Sequence, residues 1–257
     1  KPLMSKIGKL YIGTSGWAYK DWGKKFFPKD VPQRLHLQYL ADQFNTVELN
    51  ASFYRLQPPT SYQKWYKETP NDFRFAIKVS RYVTHIKRLT KVEKYWPKFY
   101  ETTVPMGNKR GPYLVQLPPS FRAKPETVER LDHFLSVAKK SGRGLRFAVE
   151  LRNETWFADE SNLAPLKKHK VALVFPNSSK WPEAPDIDPA PYVYFRLHGP
   201  RKLFASGYKD DELKAWAKKM QKYLRKGKDV YVYFNNDEHA HAPANAQLLQ
   251  ELLKFKR

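Results

Sequence analysis

The chain has 257 residues, 41% hydrophobic and 28% charged, enough apolar material for one large α/β or all-β domain or for two small ones. Lys and Arg number 47 against 25 Asp and Glu, and the resulting +22 favours polyanionic partners or anionic substrates. The lack of any cysteine excludes disulfides, thiol nucleophiles, zinc ribbons and iron–sulfur clusters, and no apolar run approaches the ~18 residues of a membrane span.

The first residues, Lys1-Pro2-Leu3-Met4-Ser5-Lys6, lack the apolar stretch of a secretory signal, so a cytoplasmic location is expected. Short apolar runs then begin near Leu10 (LYIGT), Thr46 (TVELN), Phe73 (FRFAIK), Tyr113 (YLVQL), Arg146 (RFAVELR), Val171 (VALVF), Tyr192 (YVYFRLH) and Asp229 (DVYVYFNN). Each has the length of a buried strand and is rich in β-branched or aromatic residues. Their starts lie 21 to 40 residues apart, too far for hairpins and right for helical crossovers between parallel strands.

Helix signals fill most of the gaps. Weaker ones run from Leu35 to Phe44, around Ser61 to Lys67 and after Trp96. Pro125-Glu126-Thr127 opens a stronger helix, with proline and carboxylate in the first turn and Leu131, Phe134, Leu135 and Ala138 as its stripe. A further weak signal spans Asn162 to His169. The stretch Asn177 to Pro191 holds too many prolines for a helix. Asp210-Asp211-Glu212 starts another helix, which buries Leu213, Trp216, Ala217, Met220 and Leu224 and stops at Gly227. A last one runs from Ala244 to Phe255.

Eight strand–crossover units with no dividing linker predict a single (β/α)8 TIM-type barrel over residues 1–257, the crossover between strands six and seven lacking a regular helix. The rival is a doubly wound open sheet. That fold normally carries a glycine-rich phosphate turn after strand one, where Gly13-Thr14-Ser15-Gly16 has two glycines in the wrong pattern.

Strand alternation predicts which side chains face the barrel interior. With Val47 and Leu49 turned outward, Glu48 and Asn50 point into the mouth. The same parity selects Lys78, Gln116, Glu150, Arg152, Arg196, His198 and Asn235 at the C-terminal strand ends, where barrel enzymes place their sites. This ring has two carboxylates against three permanent cations, so a phosphate or carboxylate ligand would complete it. Internal salt bridging is the alternative for any one pair within it.

Other chemistries use the same residues. Glu48, Glu150 and His198 could supply three metal ligands, with His85, His239 or His241 in nearby loops. Against a divalent metal, no aspartate ends a strand and Lys78 and Arg196 would repel the ion. No cofactor is assigned on this basis. Glu48 and Glu150 also suit a glycosidase pair if their separation allows it, whereas Ser15 lacks the motif of a nucleophile elbow. The loops over the mouth interleave aromatics with cations: Trp17, Trp22 and Lys24 in the first, Tyr54 and Arg55 in the second, and Arg81, Tyr82, His85 and Arg88 in the third. Such loops suit stacking on single-stranded or distorted nucleic acid; equally, Trp17 and Phe53 could close the barrel top as packing.

Six motifs together carry a resemblance. They are Ile12-Gly13-Thr14-Ser15-Gly16-Trp17; Thr46 to Asn50 with Ser52 to Arg55; Gln116 to Phe121; Ala148 to Arg152; Arg196 to Gly199; and Tyr233 to Asn236 through Ala240-His241-Ala242 and Asn245-Ala246. In this order they resemble the YecE-like family, domain of unknown function 72, from Leu10 to about Leu253. The resemblance implies a (β/α)8 barrel, distantly like the endonuclease IV and xylose isomerase barrels, and implies no reaction.

The expected function is therefore binding of a phosphate-bearing ligand, nucleic acid first, with phosphodiester hydrolysis as the reaction. Lys78, Arg152 and Arg196 would hold phosphate, Glu150 or Glu48 would act as base or metal ligand, and His198 as acid or ligand. The alternatives are an enzyme acting on a small phosphorylated or carboxylated sugar, and a non-catalytic anion or nucleic-acid binder. No membrane partner is expected.

Overall fold

In the computed structural model, which describes residues 7–255, all eight apolar runs form parallel strands: β1 (Leu10–Ser15), β2 (Thr46–Leu49), β3 (Arg74–Lys78), β4 (Arg110–Gln116), β5 (Phe147–Glu150), β6 (Ala172–Asn177), β7 (Tyr192–Leu197) and β8 (Asp229–Phe234). They pair in sequence order, and β1 closes on β8 with Leu10 opposite Val230 and Thr14 opposite Phe234. The result is a closed (β/α)8 TIM-type barrel. Gly13 is needed for this closure, because a Cβ there would lie 1.9 Å from the Thr46 carbonyl oxygen. Gly16, at φ +87°, then turns the chain out of β1. Both glycines serve the barrel rather than a phosphate.

The helices are α1 (His36–Gln43), α2 (Ala51–Tyr54), α3 (Pro59–Lys67), α4 (Val92–Thr103), α5 (Pro125–Lys140), α6 (Ala164–His169), α7 (Asp210–Arg225) and α8 (His241–Leu252). The sequence does not predict α2, and two others depart from its expectation. α4 begins before Trp96 and carries Pro97 within it, because Val92, Trp96, Phe99 and Thr103 make a buried stripe at helical spacing. α8 begins at His241 rather than Ala244. His239 (φ +57°) and Ala240 (φ +61°) kink the chain just before it, and Pro243 fits a first turn.

Between β6 and β7 no helix forms. Instead the Tyr223 hydroxyl donates to Asp186, and Lys219 and Lys222 pair with Asp186 while Lys226 and Lys228 pair with Asp188. The acidic loop thus docks on α7 and offsets part of that basic helix. No helix among the described residues is long and apolar enough to cross a membrane.

Alternation divides the core in two. Val47, Leu49, Val149, Phe195 and Phe234 pack outward against the helices. Tyr11, Ala76, Leu114, Ala148, Ala172, Tyr192, Tyr194, Tyr231 and Tyr233 pack inside the barrel as a separate cluster. Tyrosines from β1, β7 and β8 lean over alanines from β3, β5 and β6, which fills the interior by matching large residues to small ones. This plug separates a C-terminal mouth from an N-terminal one.

Candidate functional site

The C-terminal mouth is built on a buried ion network that alternates in sign. From β7, Arg196 donates to both oxygens of Glu48 on β2, Nε to Oε2 at 3.0 Å and Nη2 to Oε1 at 2.7 Å. Its Nη1 reaches Glu150 Oε2 on β5 at 2.6 Å, and Arg152 Nε donates to the other Glu150 oxygen. The Tyr194 hydroxyl donates to Glu48 Oε2 at 2.6 Å, Ser15 donates to Glu48 Oε1, and Gln116 Nε2 lies 3.4 Å from Glu150. Glu48 and Glu150 are fully buried and Arg196 is 1% exposed, so all three depend on these partners.

Above this floor opens a cavity of about 550 Å³. Its lining includes Tyr19, Asn50, Phe53, Tyr54, Lys78, Arg81, His85, Gln116, Arg152, Phe204, Asn235 and Asp237. Lys78 Nζ stands 4.0 Å over the Phe53 ring, and Arg152 lies over Trp181 at 4.1 Å. His85 comes from a single π-helical turn, Tyr82–Ile86, that follows β3 and also sets Tyr82 on the rim. Large apolar residues stay exposed around this mouth: Tyr54 by 77%, with Leu56, Tyr82, Ile86 and Phe204.

Residues 11–257 match the family described as "Protein of unknown function DUF72". The chain belongs to that family. The Bacillus subtilis (strain 168) UPF0759 protein YunF is 28% identical, over 96% of this chain and 95% of its own. A DUF72 family protein of Thermotoga maritima MSB8, solved as a crystal structure, is 26% identical with a TM-score of 0.81, over 96% of this chain and 99% of that one. A glycoside hydrolase family 5 enzyme of Prevotella bryantii B14 is 10% identical with a TM-score of 0.52, over 97% of each chain, a likeness of fold alone.

In this DUF72 barrel the hydrogen bonds fix several protonation states. Ser15 already donates to Glu48, so it accepts from Asn50 Nδ2 at 3.1 Å, and the buried Asn50 Oδ1 is left without a partner. Asn235 Nδ2 lies 3.1 Å from His198 Nδ1, which makes Nδ1 the acceptor and places the imidazole proton on Nε2. That Nε2 is buried and unpartnered.

Electrostatics then sort the titratable groups. Burial alone would raise Glu48 and Glu150. For Glu48 the Arg196 charge and the hydrogen bonds from Arg196, Ser15 and Tyr194 outweigh it; for Glu150 the charges of Arg152 and Arg196 do, so both stay ionised. Burial, reinforced by Arg196, brings Lys78 down to about 7. Burial and the Lys78 and Arg152 charges bring His85 down to about 4, and burial with Arg196 holds His198 well below its ordinary range. Asp237 is pushed up to about 8 by burial, with the nearby Glu48 charge adding to it.

The structure therefore redistributes the sequence-derived site. Asn50, Tyr54, Lys78, His85, Gln116, Arg152 and Asn235 line the cavity. Arg196 lies beneath it with its guanidinium committed to Glu48 and Glu150, and the cations on the cavity lining are Lys78, Arg81 and Arg152. Glu48 and Glu150 are occupied by guanidinium groups, and burial with the Arg196 charge keeps His198 neutral rather than a charged acid at neutral pH. Among the described residues no three His, Asp or Glu side chains gather to hold a metal. Trp17 packs edge-on against Trp65, and His241 packs edge-on against His239; neither lines the cavity.

Sequence reasoning missed Asp237. It stands three residues beyond β8, in Asn235-Asn236-Asp237, where strand parity no longer applies. Its only signal is a run of short polar residues directly after a barrel strand, the region where such folds place functional loops.

Proposed function

We propose that the C-terminal cavity binds a phosphate-bearing ligand, and that nucleic acid is the ligand class. The observation carrying this reading is the cavity's charge. Among the described residues, Lys78 and Arg81 line it without a carboxylate partner, Arg152 beside them is paired with Glu150, its one lining carboxyl, Asp237, holds its proton at neutral pH, and the ionised Glu48 and Glu150 below are already paired. A buried amine held near neutrality lacks a counter-ion, and a phosphate supplies one. The exposed Tyr54, Tyr82 and Phe204, interleaved with Arg81 and Lys87, suit the stacking and backbone contacts of a single strand. The protonated Asp237 is the group on this wall able to act as a general acid toward a phosphodiester.

One feature favours a second reading, a small phosphorylated or carboxylated sugar. Asn50, Gln116 and Asn235 bring amides to the wall, and the orphaned Asn50 Oδ1 is an acceptor suited to a hydroxyl.

The test is binding of a labelled single-stranded oligonucleotide across a salt series. Affinity should fall steeply with salt, and Lys78→Met and Arg81→Glu should each weaken it by about tenfold and reduce the salt slope. Binding indifferent to salt, or untouched by both variants, overturns the nucleic-acid reading. Selective protection by a sugar phosphate without oligonucleotide binding moves the site to the second one. Loss of phosphodiester cleavage in Asp237→Asn, with binding kept, would make the protein an enzyme rather than a binder.

A further inference from the structure

The N-terminal mouth of the barrel holds a second cavity, about 570 Å³, on the opposite side of the tyrosine plug. This is the end at which barrel proteins ordinarily build stability rather than sites. Two segments on it are rich in glycine and arginine: Gly107-Asn108-Lys109-Arg110-Gly111, which runs into β4, and Gly142-Arg143-Gly144-Leu145-Arg146 before β5. Gly107 (φ +54°) and Gly144 (φ +72°) adopt left-handed backbone there, and a Cβ on Gly144 would meet nothing within 4 Å.

Structure accounts for part of this cluster. Arg146 Nη1 pairs with Asp229 Oδ2 at 2.6 Å and donates to the Tyr231 hydroxyl at 2.9 Å, with its guanidinium over Tyr192. Lys109 is buried, bonded to the Tyr66 and Thr69 carbonyls, and takes no part.

What remains is unbalanced. Lys9, Arg74, Arg110, Arg143 and Arg146 line the cavity with Asp229, already paired, as its carboxylate; Asp72 lies in the adjoining groove beside Arg74. Arg74 donates Nη1 to the Asn71 and Phe73 carbonyls, and Arg110 donates to the Gly107 carbonyl and the Tyr100 hydroxyl. Neutral acceptors orient a guanidinium without cancelling its charge, and each guanidinium has five donors. Arg143 makes no hydrogen bond among the described residues, nor does the Tyr11 hydroxyl. Tyr11 and Tyr231 stack on each other at 4.6 Å, so the floor offers hydroxyls rather than an open ring face.

We propose that this N-terminal cavity is a binding site for a polyphosphate group, either an inorganic polyphosphate or the phosphate tail of a nucleotide. Several adjacent phosphates match several guanidinium groups converging from different turns, with Arg giving paired N–H contacts. A single carboxylate or sugar would leave most of that charge unanswered. The cavity's volume lies within the range of small-ligand pockets.

The experiment is calorimetric titration of the full chain with tripolyphosphate, ATP and adenosine at fixed ionic strength. A chain of +22 attracts polyanions everywhere, so the control removes equal charge elsewhere, on exposed Lys214 and Lys218 of α7. One saturable site is expected, weakened about tenfold or more by Arg110→Glu with Arg143→Glu and by about twofold or less by Lys214→Glu with Lys218→Glu. Arg81→Glu, in the other mouth, should leave it intact, which separates this site from the one above. Tripolyphosphate as tight as ATP marks inorganic polyphosphate as the source; ATP tighter, with adenosine inert, marks a nucleotide tail. Equal losses in the two double variants, sensitivity to Arg81→Glu alone, or no saturable binding overturns the proposal.

Discussion

Both mouths of this barrel carry an excess of positive charge and hold it differently. At the C-terminal mouth the guanidinium groups of Arg196 and Arg152 are interlocked with Glu48 and Glu150, out of water. At the N-terminal mouth Arg146 has one carboxylate, while Arg74 and Arg110 rest on carbonyl and phenol oxygens. The difference follows from where the residues sit. A charge on an inward strand position cannot reach water and must bring its counter-ion within the fold, whereas a charge on a rim turn is balanced by solvent and salt. Cations left over at the C-terminal mouth, Lys78 above all, are thus buried enough to be perturbed.

The sharpest way to break this comparison is to delete one arginine from each end. Arg196→Met leaves the buried Glu48 without its main partner and Glu150 with Arg152 alone, and should cost ~3–5 kcal/mol in urea unfolding, since breaking a buried pair exposes its desolvation cost. Arg146→Met removes a guanidinium that is about a third exposed. It should cost about 1 kcal/mol or less. Equal losses at the two ends would show that the N-terminal mouth is as dry as the other.

A smaller effect sharpens the account of Lys78. Sulfate keeps its charge across neutral pH, so the pH dependence of its binding reports the protein. Below about 7 Lys78 is charged in the free protein and sulfate needs no proton; above it, binding must draw a proton in. Sulfate affinity at the C-terminal cavity should therefore be highest in mildly acidic solution. It should fall by up to about tenfold per pH unit above neutrality, and the Lys78→Met variant should lose this slope up to about pH 8, where Asp237 begins to ionise. An affinity that stays level from pH 6 to pH 9 in the unmodified protein would remove Lys78 from the site.

The smallest effect concerns Asp237. Its folded pKa is raised to about 8, so between its ordinary 3.8 and 8 the folded state holds a proton that the unfolded chain has lost. Stability from this group accordingly falls as pH rises through that window. Asp237→Asn removes the slope. Its melting temperature relative to the parent should improve by a few degrees from about pH 7 to about pH 8.5. No change across that range would place the carboxyl in water.

Much of the fold was legible in the sequence because the strands are buried on both faces and therefore read as unbroken apolar runs. The site was legible only where alternation governs it. Glu48, Lys78, Gln116, Glu150 and Arg196 were placed inside correctly from parity alone, and the prolines between Asn177 and Pro191 marked the loop that replaces a helix between β6 and β7. Parity says nothing about depth or pairing, which is why Arg196 was expected to face a ligand when it in fact spans two carboxylates. It also lapses beyond the strand ends. Asp237, the π-helical turn carrying His85, and the early start of α8 all lie there, set by kinks at residues such as His239 and Ala240.

The order of apolar runs and breakers by itself determined a closed parallel barrel and an inward ring of charge, because burying both faces of a strand constrains every residue along it. Which charges neutralise one another, and which are left for a guest, was decided only when strands far apart in the chain were brought side by side. Coulombic pairing depends on a few ångströms of three-dimensional separation, and sequence distance does not encode that separation.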